Sequence, residues 1–533
     1  MMRSPKNIVI IVVLLLTITG GVFITSTLFK EMENTPKKYF IIISMAILLV
    51  VCMMRRRGFQ GFMESLQSRM LLNGIVIVCF LATIHGLLQF FNCISSNHSA
   101  FPITGTFENP AGFAAVQAAL YPFVVTRLFD GENSRLMRLF SVAVSVICFI
   151  SVVLSGSRAG ILALFSVLIV VLAYNDVIAS FFKSHKWLCL PIIIIIVSLL
   201  IVLYYVKQDS ADGRIFIWNR CFEMIKKRPL LGYGVYGFHH YYMSAQADFF
   251  RIHPDSPFIM LADNVGHPFN EYIKLIIHFG IVGLFVALGL IVWIVWKLYR
   301  TEKQIKVLGL SYVASLFIMC QFSYPFHYSV VWLLGFIAII PALIRPLEET
   351  YKMPGWIRIG ASTLLLLFFS FTLRRMYYDM KWSEISNRAL IGQTKQMLKY
   401  YEGMPSSIKH NPPFLYNYAA ELNYSGKYEE SLSLTKQCEE MWNDYDVQML
   451  KANNYANIHD KENAIQSYDK AANMIPCRFE PLLGKMLVYM DANDTVNVLC
   501  VANEINEKPI KVRSDRISFI IERSQQILSY YNQ

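Results

Sequence analysis

The chain has 533 residues, of which 55% are hydrophobic and only 16% are charged, and it carries a net charge of +12. This composition excludes a soluble single domain, because soluble domains carry about 25% charged residues and rarely exceed ~300 residues. Much of the positive charge lies in short loops between long apolar segments. Membrane orientation and attraction to anionic lipid explain that charge, so no nucleic-acid partner is predicted.

The apolar segments predict an all-α, polytopic membrane helix bundle of about eleven transmembrane helices, because roughly 20 apolar residues cross a bilayer. The first segment is longer than a signal-peptide core and contains no small-residue cleavage pattern, so we expect it to be retained. The predicted spans are residues 7–29, 39–54, 70–91, 108–127, 137–154, 160–182, 187–206, 270–297, 307–323, 328–344 and 357–373.

The distribution of Lys and Arg predicts the orientation of this bundle. Basic residues cluster on alternate short loops, which are therefore expected to be cytoplasmic together with the N-terminus. An odd number of spans then predicts an external C-terminal segment. The sequence is accordingly divided into a transmembrane domain at residues 1–373, with a large external loop at 207–266, and an external domain at 374–533.

Residues 374–533 contain a repeat. The segment "NYSGKYEESLSLTKQCEEM" is echoed 33 positions later by "NIHDKENAIQSYDKAANMIP", and a third, degenerate copy follows near Asn493 and Val498. This period, with small and apolar residues at matching positions, resembles tetratricopeptide repeats, each of which is a helix hairpin. Such repeats pack against their own chain or bind a protein partner, and packing is the favoured interpretation here.

Neither a metal site nor a redox motif is predicted. The ten cysteines form no CxxC pair, although Cys438 and Cys477, both in the external domain, leave a disulfide open. His239, His240 and His253 lie together in the large loop, but no HExxH pattern accompanies them.

The large loop contains the segment "DGRIFIWNRCFEMIKKRPLLGYGVYGF", residues 212–238. Apolar residues spaced by three and four predict an amphipathic helix that Asp212 caps and Pro229 ends. Such a helix is expected to lie on the outer membrane face, with Arg214 at headgroup height. Arg214 would there bind a lipid phosphate through paired hydrogen bonds, or it would snorkel without a ligand.

Two further segments carry candidate functional residues. "SGSRAG", residues 155–160, places Arg158 between two spans at the external side, where an arginine either snorkels or has a function. "HPFNEYIKLIIHFGIVG", residues 267–283, predicts a helix that begins at His267, with Glu271 one turn later to orient the imidazole. A histidine there acts as a general base or as a capping or core residue.

These segments, in this order and with a large external loop, resemble the bacterial O-antigen ligase and polymerase superfamily. The segment "TGTFENPAGFAAVQAALYPF" is similar to that family's asparagine-proline segment, and the resemblance covers roughly residues 1–345. It implies a GT-C-like membrane glycosyltransferase in the bacterial cytoplasmic membrane. The implied donor is a glycan on undecaprenyl diphosphate, and the implied acceptor is lipid A core, a growing polymer or a protein hydroxyl, without cofactor or metal.

The resemblance also implies roles for individual residues. Arg158 and Arg214 match arginines that bind the diphosphate, and His267 matches the proposed catalytic base. Asn109 lies in the segment similar to the family's asparagine-proline segment and is a weaker substrate-binding candidate. Glu271 is added to the substrate-binding candidates from its spacing to His267 and not from the resemblance. In this chain Pro268 follows the histidine directly, where the family often has asparagine.

Three interpretations follow for the whole protein. The first is a ligase with lipid A core as its acceptor. The second is a polymerase or a protein O-oligosaccharyltransferase, which shares the donor and differs in the acceptor. The third, from another class, is a transporter or an envelope scaffold. The spans carry few of the ionisable residues that a transporter needs near mid-membrane, and a scaffold would depend on residues 400–533 rather than on the arginines.

Overall fold

The computed structural model describes residues 5–55, 58–175, 208–348 and 354–531, together with a few positions between 176 and 207. Every regular element within these ranges is helical, which confirms the all-α prediction. The helices are α1 (Pro5–Phe23), α2 (Asn34–Met54), α3 (Gly58–Leu66), α4 (Arg69–Phe90), α5 (Pro110–Leu128), α6 (Arg135–Leu154), α7 (Arg158–Ala173), α8 (Gln208–Lys227), α9 (Gly237–Ile252), α10 (Glu271–Tyr299), α11 (Lys303–Phe322), α12 (Ser329–Glu348), α13 (Gly355–Arg388), α14 (Thr394–Glu402), α15 (Pro412–Tyr424), α16 (Tyr428–Glu439), α17 (Tyr445–Asn457), α18 (Lys461–Met474), α19 (Glu480–Asp491), α20 (Thr495–Glu507) and α21 (Asp515–Tyr531).

The predicted polytopic membrane fold is confirmed. Seven of the described helices are long and apolar enough to cross a membrane. Three shorter apolar helices, Asn7–Phe23, Arg158–Ala173 and Ser329–Ile344, coincide with further predicted spans. The predicted span at residues 187–206 lies outside the described residues, apart from isolated positions, as does the end of the span at 160–182.

The chain folds into two compact units. The first unit comprises Met1–Leu203, Phe269–Glu271 and Val286–Met380, and the second comprises Tyr204–Pro268, Tyr272–Phe285 and Lys381–Gln533. The first unit therefore holds most of the apolar helices. The second holds the large loop together with the C-terminal helices.

Helix α5 forms the centre of the first unit. Almost every residue from Gly112 to Val125 is buried, including a series of alanines that lets neighbouring helices approach closely. Polar side chains join the helices at this core. The Gln117 carbonyl oxygen accepts hydrogen bonds from the thiols of Cys79 and Cys148, at 3.4 and 3.3 Å. These bonds give buried polar atoms the hydrogen-bond partners that neither lipid nor apolar side chains can provide.

The second unit contains three consecutive helix hairpins, formed by α15 and α16, α17 and α18, and α19 and α20. The residue that reverses the chain in each hairpin has a left-handed backbone: Gly426 at φ 83°, His459 at φ 60° and Asn493 at φ 53°. These positions repeat at the predicted period, and fully buried Ser431, Ala464 and Val498 occupy equivalent sites. Three hairpins therefore occur where the echo and its degenerate copy indicate them. Their assignment to the tetratricopeptide family remains a prediction.

Helix α8 begins earlier than the sequence indicated. Asp212 lies inside α8, which starts at Gln208, so its predicted role as the N-cap is wrong. The Asp212 carboxylate instead accepts a hydrogen bond from the Tyr204 hydroxyl, at 2.9 Å. The helix ends at Lys227, close to Pro229 as predicted.

Helix α8 has two apolar faces. Phe216 is buried, and its ring lies 5.1 to 5.3 Å from the rings of Phe249, Phe250 and Phe258. The predicted apolar stripe lies on the other side, where Ile215 and Phe222 are nearly half exposed. One face therefore packs within the second unit, and the other is exposed as far as the described residues go.

Helix α10 is broken at Gly280, which has φ 66° and ψ −170°, a conformation almost restricted to glycine. The break lets the Ile281 amide donate to the Pro229 carbonyl at 2.8 Å, and the Tyr233 amide donate to the Ile277 carbonyl at 2.8 Å. A Cβ atom at position 280 would overlap the Leu230 carbonyl group. The segment after α8 is thus joined to α10 through backbone hydrogen bonds.

The Gly280→Ala substitution is expected to destabilise the protein by about 3 kcal/mol or more, because it combines a glycine-only conformation with a backbone clash. Thermal unfolding in detergent measures this loss. Gly289→Ala is the matched control, since a Cβ atom there meets nothing within 4 Å. An equal effect of both substitutions would contradict the prediction.

Candidate functional site

Arg158 is the first residue of α7, at the junction that the sequence predicted. Gly156, at φ 70°, reverses the chain, and the Ser157 hydroxyl accepts a hydrogen bond from the Gly160 amide at 3.3 Å. A Cβ atom on Gly160 would lie 2.9 Å from the Ala114 Cβ atom, so the start of α7 packs closely on the second turn of α5. Arg158 therefore lies where two helix N-termini are adjacent, and their dipoles favour an anion.

Asn109 caps the N-terminus of α5. Its side-chain oxygen accepts hydrogen bonds from the backbone amides of Ala111 and Gly112, at 2.8 and 3.2 Å. Its amide nitrogen donates to the Tyr324 hydroxyl at 2.9 Å. Both ends of this side chain are engaged within the protein, which favours a structural contribution of Asn109 over direct contact with substrate.

Glu108 lies beside this cap and accepts hydrogen bonds from three side chains, one of them the Asn109 amide at 3.3 Å. The Tyr328 hydroxyl donates to one carboxylate oxygen at 2.9 Å, and the Asn34 amide donates to the other at 2.8 Å. A network of polar side chains thus surrounds the N-terminus of α5. This network holds a carboxylate near the end of the helix.

Residues Phe269–Glu271 belong to the same unit. The Asn270 amide donates to the Gln321 carbonyl at 3.0 Å, and the Phe269 ring lies 5.7 Å from the ring of Tyr324. Tyr324 is therefore bonded to Asn109 on one side and packed on Phe269 on the other. These contacts bring Asn109 and the segment before Glu271 together in the first unit.

The helix predicted to begin at His267 begins instead at Glu271. Pro268 disfavours a helical conformation at the preceding residue, and Phe269 has a left-handed backbone at φ 52°. His267 and Glu271 are consequently not one helical turn apart, and the helical argument for Glu271 as the orienting group is wrong. A role for Glu271 in binding substrate remains a prediction without that support.

In the second unit, the helix that carries Arg214, α8, is hydrogen-bonded to Pro268, the residue that follows His267. The Trp218 indole N–H, one helical turn after Arg214, donates to the Pro268 carbonyl at 2.8 Å. Residues four apart lie on the same helix face, so Arg214 occupies the face that carries this bond. The α8 helix thereby holds the residue next to His267 in a fixed position.

The ring of His267 packs edge-on against His239, with the ring centroids 6.2 Å apart. The His239 ring stacks on Trp442 at 4.5 Å, with an interplanar angle of 15°. Burial and the Lys274 ammonium lower the pKa of His239 to about 4, although the Asp444 carboxylate opposes them. His239 is accordingly neutral at physiological pH, whereas the sequence had suggested it only as a possible metal ligand.

The remaining loop histidines do not join His267. The His240 ring is hydrogen-bonded to the Glu439 carbonyl at 2.7 Å, and His253 is exposed at the end of α9. Cys438 and Cys477, whose pairing the sequence left open, are both free thiols. Sequence reasoning missed Tyr324 and Trp442, because each acts through a partner distant in the chain and no local spacing marks it. It placed Trp218 on the apolar stripe of the predicted helix but not its hydrogen bond to the Pro268 carbonyl.

Comparisons with known proteins identify the domain that contains these residues. A family model described as O-antigen ligase matches residues 143–288. This range includes Arg158, Arg214 and His267, and the match confirms the resemblance to the O-antigen ligase superfamily. Comparison with curated proteins and with solved structures gave no match.

Proposed function

We propose that this chain, an integral membrane protein of the O-antigen ligase superfamily, transfers a glycan from undecaprenyl diphosphate to lipid A core. The match of the O-antigen ligase model to residues 143–288 carries the proposal. The match suggests a glycosyltransferase-type enzyme activity. The donor, the acceptor and the residue roles below are proposals that the local contacts support.

The two arginines are proposed to bind the diphosphate of the donor. As the anomeric carbon separates from the leaving phosphate oxygen, negative charge accumulates on the diphosphate, and preplaced guanidiniums stabilise it. Arg158 has the added support of two adjacent helix N-termini, and Arg214 has a helix fixed by Trp218. In other transferases a divalent cation neutralises the charge of the leaving group. Here the two guanidinium groups are proposed to do so, and we therefore expect transfer to be insensitive to chelators.

His267 is proposed to act as the general base. It takes the proton of the acceptor hydroxyl, whose oxygen bonds to the anomeric carbon as the bond to the phosphate oxygen breaks. Undecaprenyl diphosphate leaves from the opposite face, so the anomeric configuration inverts. The packing against neutral His239 suits this role, because a neutral neighbour does not repel the imidazolium that forms.

The reaction is proposed to occur at the external face of a bacterial cytoplasmic membrane. The basic loops predict a cytoplasmic N-terminus, which leaves the large loop and the C-terminal domain in the periplasm. The exposed apolar residues Ile215 and Phe222 on α8 would rest on that membrane face. Arg214 would then lie at the height of the lipid-linked diphosphate.

The proposal is tested by offering purified undecaprenyl-diphosphate glycan to the protein in nanodiscs. Lipid A core, a lipid-linked repeat unit and a serine-rich periplasmic protein serve as separate acceptors. Product on lipid A core alone supports the ligase, whereas product on the repeat unit or on the protein identifies a polymerase or a protein O-oligosaccharyltransferase. A folded protein that modifies no acceptor would contradict the proposed activity and favour a scaffold.

A further inference from the structure

The ring of His239 lies between Trp442 and His267. Its centroid is 4.5 Å from that of Trp442, in a parallel stack, and 6.2 Å from that of His267, in an edge-on contact. Trp442 follows α16 in the C-terminal hairpins, about 175 residues after His267 in the chain. These three rings therefore connect the C-terminal helices with the proposed base inside the second unit.

Trp442 is itself held firmly. Its indole N–H donates to the Asp444 carboxylate at 2.9 Å, and the other oxygen of that carboxylate accepts a hydrogen bond from the Val447 amide at the start of α17. The Asn264 amide, three residues before His267, donates to the same Asp444 oxygen as the indole, at 3.1 Å. A single carboxylate thus links the tryptophan, a helix N-terminus and the segment that leads to His267.

The adjacent residue, Asn443, fixes α9. Its backbone amide donates to the His239 carbonyl at 3.0 Å, and its side-chain amide donates to the Ser244 hydroxyl at 2.9 Å. His239 is therefore held at its backbone by Asn443 and at its ring by Trp442. A ring restrained at both places presents a fixed surface to His267.

We propose that Trp442 and His239 are positioning residues that hold the imidazole of His267 in the orientation needed for proton transfer. This inference rests on the proposed role of His267. It gives the C-terminal helices a function within their own chain, because they complete the support of the base. Misplacement by about 1 Å costs on the order of 10²-fold in rate, so such a support affects turnover more than binding.

The test substitutes Trp442 and measures transfer kinetics with lipid-linked glycan. Trp442→Leu is expected to lower kcat by roughly 10- to 100-fold, while the KM for the donor changes less than about 3-fold. Trp442→Phe keeps an aromatic stack and is expected to retain activity within about 3-fold of the unsubstituted protein. An equal loss of kcat in Trp442→Leu and Trp442→Phe would show that aromatic stacking on His239 does not determine the transfer rate.

Trp382→Leu is the matched control. Trp382 is 8% exposed, its indole N–H donates to Asn417 at 2.8 Å, and its ring packs on Phe414 at 5.7 Å. It is a buried tryptophan of the same unit, and its known contacts do not include His239. We expect Trp382→Leu to lower the thermal stability about as much as Trp442→Leu does, but to leave kcat unchanged. If Trp382→Leu lowers kcat as much as Trp442→Leu, the proposal is overturned.

Two measurements separate positioning from a general weakening of the fold. In a His267→Ala background, Trp442→Leu is expected to cause no further loss of transfer, because the two residues act through one group. The rate at which diethyl pyrocarbonate modifies His267, followed by mass spectrometry, is expected to rise in Trp442→Leu. This rate does not require activity, so it also tests the support if the proposed transfer reaction fails.

His239→Phe provides the second route should Trp442→Leu not fold. It keeps an aromatic ring in the stack and is expected to retain the protection of His267, whereas His239→Ala is expected to lose it. An unchanged modification rate in both His239→Ala and Trp442→Leu would refute the positioning role, even if the unsubstituted protein transfers glycan. Absence of transfer by the unsubstituted protein would refute the proposed function instead.

Discussion

Arg158→Ala and Arg214→Ala are each expected to lower kcat for glycan transfer by about 10²- to 10³-fold, with little effect on stability. Removing one preorganised donor to a developing negative charge has an effect of this size in other enzymes. Each guanidinium is proposed to bind the charge already on the donor diphosphate and to stabilise more strongly the further charge that appears as the diphosphate departs. The loss should therefore fall mainly on kcat, and the KM for the donor should rise less.

Lysine substitutions refine this expectation. Arg158→Lys and Arg214→Lys keep the positive charge but lose the paired hydrogen bonds of a guanidinium. We expect them to retain more activity than the alanine variants and less than the unsubstituted protein. Transfer to lipid A core, measured in nanodiscs with a purified donor, gives the ranking.

The controls are arginines that the proposed reaction does not use. Arg251 is 67% exposed and pairs with Asp248 at 3.5 Å, and Arg138 is an exposed residue in the first turn of α6. Their alanine variants should transfer glycan normally. Near-normal transfer by both Arg158→Ala and Arg214→Ala would refute the diphosphate-binding role, whatever reaction the protein catalyses.

The sequence predicted those features of the fold that depend on neighbouring residues. Apolar length located the helices and the period of 33 located the hairpins, because a membrane-spanning helix and a repeat hairpin are each encoded in one continuous segment of chain. The helix boundaries were less accurate. At Asp212 the pattern suggested a cap, but α8 begins four residues earlier, at Gln208, and the Asp212 carboxylate accepts a hydrogen bond from the Tyr204 hydroxyl instead.

The error at His267 has a different cause. Proline is common in the first turn of a helix, so "HPFNE" resembled a helix start. In the structure the left-handed backbone at Phe269 separates the proline from the helix, and Asn270 bonds to the Gln321 carbonyl. That bond joins residues 51 positions apart. No local pattern records it.

The supports of the candidate residues were equally hidden. Arg158 and Arg214 stand out in sequence because charge is rare beside apolar segments. Tyr324 and Trp442 do not stand out, because aromatic residues are frequent throughout this chain, at 14%. Their importance follows from what they contact, Asn109 in one unit and His239 in the other.

The His267→Ala variant is expected to transfer glycan about 10²- to 10⁴-fold more slowly, which is the range over which a positioned general base contributes. Binding of the donor should be nearly unchanged, because the base contacts the acceptor hydroxyl rather than the diphosphate. His253→Ala is the control, since His253 lies in the same loop and is exposed. Its transfer rate should equal that of the unsubstituted protein.

Chemical rescue distinguishes a base from a structural histidine. His267→Gly leaves space beside His239, and added imidazole is expected to restore part of the transfer rate in proportion to its concentration. Imidazole should have no such effect on Arg214→Ala, because that variant lacks a charge and not a proton acceptor. If imidazole fails to accelerate His267→Gly although the variant folds and binds donor, the histidine holds the loop in place. The acceptor hydroxyl would then lose its proton to another group or directly to water.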